Sequence, residues 1–380
     1  MARSFFFEQA FSVHGVHTNL YPPLYPILLS IAYIFSDMET VYITFKLINS
    51  LISTAVIFPV YLIAREYLSL KKSFYASVLI SLTASNFITS GYIMAENLFY
   101  PLVAFFAYSL YAALTRQNQG YYILSGALLG LCFLTKIFGL FLIPIFFILW
   151  IFRYPSKTKF SSLAMNYAAA LLISLPWLVR SVRLFGFSIN GLIGSYSAGA
   201  GLSGIGILSL INWMILYSGF IALSSGILFF LYWINSYKNK SNLKVLFIIS
   251  TLITLFLIIP SAHHAAKSNV ISESPFEIFT GRPIGRYVDS VLPVILLIGF
   301  ISIQNPEHKI SKKFMMVTSL LIAISAQLTI APLFPLNNQN LSYLGTLKFV
   351  FESLTNIAHG MFSWIVFAMI FVTLLLLLYL

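Results

Sequence analysis

Apolar runs separated by short polar punctuation recur along the whole chain, at roughly 41–64, 74–93, 97–114, 121–135, 137–152, 161–179, 205–234, 245–260, 287–303, 314–331 and 361–380. A helix needs about 20 mostly apolar residues to cross the hydrocarbon of a bilayer, and by that criterion the pattern predicts about eleven spans. Stretches such as "VLFIISTLITLFLIIP" are continuously apolar and do not alternate. They therefore predict helices and not barrel strands, the two forms whose backbone hydrogen bonds are satisfied in lipid.

One apolar stretch does not fit the series. "LYPPLYPILLSIAYIF", Leu20 to Phe35, is too short to cross and carries Pro22, Pro23 and Pro26 near its start. Proline is tolerated in the first turn of a helix because the amides there are unpaired in any case. The charge pattern decides where this piece belongs. If the helix beginning near Val41 enters from outside, the loops falling in the cytoplasm are "REYLSLKK", "TRQNQG", "RYPSKTK", "NSYKNKSNLK" and "QNPEHKISKK". They carry Arg65, Lys71, Lys72, Arg116, Arg153, Lys157, Lys159, Lys238, Lys240, Lys244, Lys309, Lys312 and Lys313 against Glu66 and Glu307. Basic residues mark the cytoplasmic side of membrane proteins. A full crossing by Leu24 to Phe35 would turn all of these outward, so the segment is expected to lie along the outer leaflet as an interfacial or re-entrant helix. The fold class expected is thus all-α: a polytopic transmembrane bundle of about eleven spans with one interfacial helix. Residues 1–40 form an external segment, 41–304 a transmembrane core with external loops, and 305–380 the C-terminal helices.

Composition narrows the picture without redirecting it. With 59% hydrophobic and 8% charged residues, the chain has too little polar surface to dissolve as globular domains. The formal charge of +12 sits mostly in the short loops, where it sets topology, so no nucleic-acid partner is implied. Cys132 is the one cysteine and lies in an apolar run, which excludes a disulfide framework within the chain. The absence of an internal repeat weakens a transporter built from duplicated halves.

Ionisable side chains at membrane depth are costly, so those gathered at helix ends facing one compartment are candidate functional groups. On the outer side these are Glu96, Lys136, Arg180, Arg183, His263, His264, Arg282 and Arg286, with Glu8, His14 and His17 in the N-terminal segment. Arginine and lysine at the outer surface suit an anionic group such as a lipid phosphate, and a carboxylate among them can orient or deprotonate a hydroxyl. Plainer roles stand beside these. Arg180 and Arg183 follow "LPWLV" at a helix end and can anchor it at the headgroups. Glu96 can act as the acidic first-turn residue of its helix. Lys136 is harder to place otherwise, because it separates two apolar stretches too close together for a solvated loop. His263 and His264 are adjacent and diverge on a helix, which argues against a zinc site, and His14 with His17 is a weak metal signal.

Five stretches together resemble the C-type (GT-C) integral-membrane glycosyltransferases, the group containing protein O-mannosyltransferases and bacterial aminoarabinose transferases. "NLYPPLYPILLS" resembles the family's external membrane-parallel helix, and "SGYIMAENLFYPLVAFF" its external acidic turn. "GALLGLCFLTKIFGLFLIP" resembles its Thr-Lys hairpin, "LPWLVRSVRLFG" its Leu-Pro-Trp helix end, and "GRPIGRYVDSVLPVILLIG" the start of a late helix. The resemblance implies a multi-pass protein of the cytoplasmic membrane with its active site on the outer face. It implies a hexosyl transfer from a polyprenyl-phosphate-linked donor to an acceptor hydroxyl, with inversion at the anomeric carbon. By position, Lys136 and Arg286 would contact the lipid phosphate with Arg180 and Arg183 near it. Glu96 would line the donor or metal pocket, leaving a divalent cation as an open cofactor. Tyr21, Pro22, Pro23 and Tyr25, with His263 and Tyr287, would shape the site. Membrane lipid and the lipid-linked donor are the partners expected, and the acceptor stays unassigned. Family members begin with a further transmembrane helix and an acidic motif that supplies the general base. "ARSFFFEQAFSVHG" resembles the continuation after that motif, so a chain starting late is expected, and Glu8, the only carboxylate before "YPPLYP", fits the position of the missing base poorly. Two other classes stay open: a transporter or flippase of lipid-linked saccharides, and a non-catalytic relative that binds lipid phosphates.

Overall fold

The computed structural model of the chain describes residues 1–152, 159–194, 206–238, 242–268 and 284–304, with 311, 313, 316 and 317. The spans expected at 314–331 and 361–380, most of the basic stretches 153–159 and 304–313, and Arg282 lie outside the described residues. What is described is helical apart from one hairpin, Ser12–Val13 paired antiparallel with Val16–His17. Five helical stretches among the described residues are long and apolar enough to cross a membrane: Met38–Ala64, Glu96–Arg116, Phe160–Phe185, Ile207–Ser224 and Asn242–Lys267. The chain is a multi-pass integral membrane protein, as the hydropathy pattern requires.

The chain divides into two compact units, Met1–Pro59 with Thr89–Ser203, and Val60–Ile88 with Gly204–Leu380. The first opens with α1 (Ala2–Glu8), the hairpin and α2 (Leu24–Ser30), which tightens into a 3₁₀ turn at Ile31–Ile34. Pro22 and Pro23 lead directly into α2, as expected of residues without a usable amide at a helix start. Asp37 then caps α3 (Met38–Thr54), its Oδ2 accepting from the Thr40 amide at 2.8 Å. The chain continues through α4 (Ile57–Ala64), α5 (Leu70–Ser81) and α6 (Ala84–Thr89). It returns to the first unit with α7 (Glu96–Arg116), α8 (Gln119–Thr135) and, after a 3₁₀ segment at Ile137–Leu142, α9 (Pro144–Ile151). The long α10 (Phe160–Phe185) and the short α11 (Ile189–Ile193) complete that unit. Nearly all of α7 is buried, and it packs against α3 and α8. Tyr25 and Leu29 of α2 join Ala32, Val41 and Phe45 in one apolar cluster, against which Ala95 and Leu98 pack. The proline-led segment is therefore built into the unit beside the start of α7.

Small residues let α8 and α10 approach closely, the usual device where helices meet in lipid. A Cβ on Gly126 would collide with the Asn166 carbonyl, and one on Gly130 with that of Ala170. Asn166 ties the same crossing by donating from Nδ2 to Ser125 Oγ at 2.7 Å and to the Tyr122 carbonyl at 3.2 Å. Gly126→Ala is expected to destabilise the purified protein by about 1–3 kcal/mol, because a backbone carbonyl cannot give way as a side chain can. That exceeds the gain of about 1 kcal/mol from replacing a helical glycine. Thermal unfolding in detergent measures the difference, and an unchanged midpoint would sink the packing argument.

In the second unit α12 (Ile207–Ser224) and α14 (Asn242–Ser268) pack together, and α13 (Ile227–Asn235) packs on α15 (Leu292–Ile303). Two of the continuous spans read from hydropathy are interrupted. The run 205–234 breaks between α12 and α13, where Gly226 adopts a φ of 75°. Glycine reaches that positive φ readily, and a right-handed helix does not contain it. The run 74–93 breaks after α5, where Ser81, Thr83, Ser85 and Asn86 offer the backbone competing partners. Asn86 Nδ2 donates to the Ser81 carbonyl at 3.2 Å.

Candidate functional site

Lys136 closes α8 in an extended conformation, with φ −151° and ψ 137°, between that helix and the 3₁₀ segment that follows. Its amide still donates to the Cys132 carbonyl at 2.9 Å, and its own carbonyl accepts from the Gly139 amide at 2.8 Å. The turn is thus tied on both sides and its side chain is directed inward. Lys136 Nζ meets Glu96 Oε1 at 2.8 Å, and both side chains are buried, 8% and 6% exposed. The ammonium also stands 5.2 Å from the centroid of the Phe138 ring and 5.6 Å from that of Phe99. A buried ion pair is costly unless its geometry is good and its surroundings add further interactions. The two aromatic faces are such interactions. Glu96 is the acidic first-turn residue of α7, as the sequence suggested, and it is also the counter-charge of Lys136, which the sequence did not indicate.

Next to the pair runs a polar network of which the sequence pointed only to Tyr25. Tyr25 of α2 donates its hydroxyl to Asn49 Oδ1 at 2.9 Å, and Asn49 Nδ2 donates to the Tyr92 carbonyl at 2.9 Å. Asn97 Nδ2 donates to the same carbonyl at 2.9 Å and to that of Met94 at 3.0 Å. Burial pushes the Tyr25 phenol up to about 12, and the nearby Glu96 carboxylate adds to the rise, since both disfavour the phenolate. Tyr25 thus joins α2 to the loop that presents Glu96. The available signal was Asn49 itself, a fully buried amide in the apolar run of α3, where polar groups are costly.

The other candidates fall elsewhere. Tyr21 is exposed, Pro22 and Pro23 are buried, and Glu8 is exposed at the end of α1. Arg180 spends its guanidinium on the N-terminal segment, with Nη1 on the Thr18 carbonyl at 3.1 Å and Nη2 on that of Phe11 at 3.0 Å. Arg183, one turn on, is exposed. The second unit holds Arg286 in a 3₁₀ turn, Gly285–Tyr287, whose preceding Ile284 amide donates to Tyr217 at 3.0 Å. Gly285 lies against the Phe220 ring with no room for a Cβ. The Arg286 guanidinium is 5.6 Å from the centroid of the Tyr287 ring, and Tyr287 meets the ring of His264 edge to face. His263, beside it on α14, is partly buried. Among the described residues no three His, Cys, Asp or Glu side chains group together. The carboxylate at the buried pair faces an ammonium.

A family model described as dolichyl-phosphate-mannose-protein mannosyltransferase matches residues 21–179, a stretch that contains Tyr25, Glu96 and Lys136. The solved structure of ArnT from Cupriavidus metallidurans bound to undecaprenyl phosphate is similar over 96% of this chain and 70% of its own, with a TM-score of 0.57 and 12% identity. The apo structure of the same protein is similar over 98% of this chain and 69% of its own, with a TM-score of 0.54 and 12% identity. No curated protein sequence matches the chain. These findings bear out the resemblance to the C-type integral-membrane glycosyltransferases and the all-helical membrane fold that it implied.

Proposed function

We propose that the protein is a membrane glycosyltransferase that takes a hexosyl group from a polyprenyl-phosphate-linked donor and passes it to an acceptor hydroxyl at the outer face of the cytoplasmic membrane. The observation that carries this reading is the buried Glu96–Lys136 pair beside the proline-led α2. Its support is the mannosyltransferase family model across those residues, and a similar fold in a protein whose structure holds undecaprenyl phosphate.

In the reaction the acceptor oxygen attacks the anomeric carbon while the bond from that carbon to the phosphate oxygen breaks. The bonding electron pair leaves with the phosphate, and the acceptor proton passes to a carboxylate, for which Glu8 is the candidate on the N-terminal segment. Negative charge grows on the leaving phosphate. A fixed ammonium stabilises that growth more than it stabilises the bound donor, which is the condition for catalysis. Lys136 is assigned this role. Glu96 holds the ammonium in place before the donor arrives, and the phosphate then competes with it. Arg286, in the second unit, is tested on its own by Arg286→Ala.

The test uses the purified chain in lipid nanodiscs with a polyprenyl-phosphate hexose. Binding of the lipid phosphate together with release of the sugar is the expected result. Binding without release supports the non-catalytic relative, and movement of an intact lipid-linked saccharide across vesicles supports the transporter. The absence of both binding and release would overturn the proposal.

A further inference from the structure

Arg180 is a cation at a helix end, and on charge alone it suits a phosphate. Its surroundings give it another task. The guanidinium lies against both the Phe11 and Trp177 rings, 5.3 and 4.8 Å from their centroids, and these two rings meet edge to face at 5.4 Å. Its two terminal nitrogens reach two carbonyls, those of Phe11 and Thr18, which stand on either side of the Ser12–His17 hairpin. A planar fork with fixed donors can bridge two carbonyls in this way, whereas the point charge of a lysine cannot.

The hairpin is pinned further. Phe11 stacks on Phe5 at 4.9 Å, and Ser12 exchanges hydrogen bonds with Ser4 Oγ, donating its amide at 3.1 Å and accepting at its carbonyl at 3.0 Å. Asn19 Nδ2 donates to the Gly191 carbonyl of α11 at 2.9 Å. All of these contacts precede Pro22 and Pro23, after which α2 carries Tyr25 into the network beside Glu96. The chain from Phe11 to Asn19 is therefore held to α10 and α11 just before it delivers the interfacial helix.

We propose that Arg180 is a positioning residue, which staples the N-terminal hairpin to α10 and thereby fixes the path of the chain into α2. It acts through that segment and does not meet the donor phosphate. The part played by α2 in sugar transfer rests on the function proposed above. The staple itself does not.

A reporter exists for it. Ser12 is buried, and the native Cys132 is completely buried, so a Ser12→Cys variant carries one thiol whose exposure reads the hairpin alone. In that background, Arg180→Gln is expected to speed thiol labelling about tenfold or more, the scale of losing one hydrogen bond to a charged group. Arg180→Lys should restore little of the protection. Binding of polyprenyl phosphate should change by less than about threefold in both variants, while sugar release falls, because no phosphate contact is lost. A large loss of binding in Arg180→Gln, recovered in Arg180→Lys with labelling unchanged, would make Arg180 a phosphate ligand and overturn the proposal. Unchanged labelling in both variants would overturn it as well. Should the unaltered chain release no sugar, the labelling comparison still decides the staple, so the two failures are told apart.

Discussion

Replacing Lys136 with alanine is expected to lower sugar release by about a hundredfold or more, the scale seen when one preorganised donor to a developing oxyanion is removed. The same change leaves Glu96 as a buried carboxylate without its counter-charge. Breaking a buried ion pair from one side costs about 3–5 kcal/mol, since the remaining charge must be neutralised or exposed. Loss of activity could therefore follow from unfolding alone, and a second variant separates the causes. In Lys136→Met with Glu96→Leu, both charges are gone and the volume is nearly kept, so most of the stability should return. Activity should not return, because neither apolar side chain can stabilise phosphate charge. Glu96→Gln alone keeps the ammonium and a hydrogen-bond acceptor beside it, and should cost less activity than Lys136→Ala. Thermal unfolding and sugar release, measured on all of these variants, form a double-mutant cycle. Recovery of activity in the double apolar variant would remove Lys136 from the chemistry and leave the pair a structural feature.

Lys136 was legible in the sequence because a lysine between two apolar runs, with no room for a solvated loop, contradicts every local preference. Its partner was not, since Glu96 lies forty residues upstream in sequence and nothing local links the two. The interfacial reading of α2 rested on where the lysines and arginines fall along the whole chain, whereas its packing beside the start of α7 depends on contacts between residues far apart in sequence. Hydropathy marked apolar stretches but could not mark breaks within them, as Gly226 and the Ser81–Asn86 run show. The task of Arg180 was illegible for a different reason. Its hydrogen-bond partners are main-chain carbonyls, which every residue possesses, so no side-chain pattern announces them. Asn49 lay in plain view as an amide in an apolar helix, and the rule that flags ionisable groups in membranes flags it too.

Gly139→Ala should reduce sugar release by about a hundredfold while leaving most of the protein folded, which makes it the most selective probe of the turn at Lys136. The 3₁₀ segment after Lys136 folds back so tightly that a Cβ at Gly139 would strike the Phe133 amide nitrogen and the Cys132 carbonyl group, backbone atoms of the last turn of α8. Those atoms are fixed by the helix, so the segment itself must lift away. The cost in stability is of the order of overpacking, about 1–3 kcal/mol. The consequence for the site is larger, because the hydrogen bond from the Gly139 amide to the Lys136 carbonyl belongs to the same turn. Moving that turn moves the ammonium relative to Glu96, and a misplacement of about 1 Å can cost a hundredfold in rate. Gly126→Ala is the control, since it strains the same helix against α10 without touching the turn. If both glycine variants lose activity only in proportion to lost stability, the position of Lys136 is not what limits the reaction. If Gly139→Ala loses far more, the fold holds that ammonium in place for chemistry.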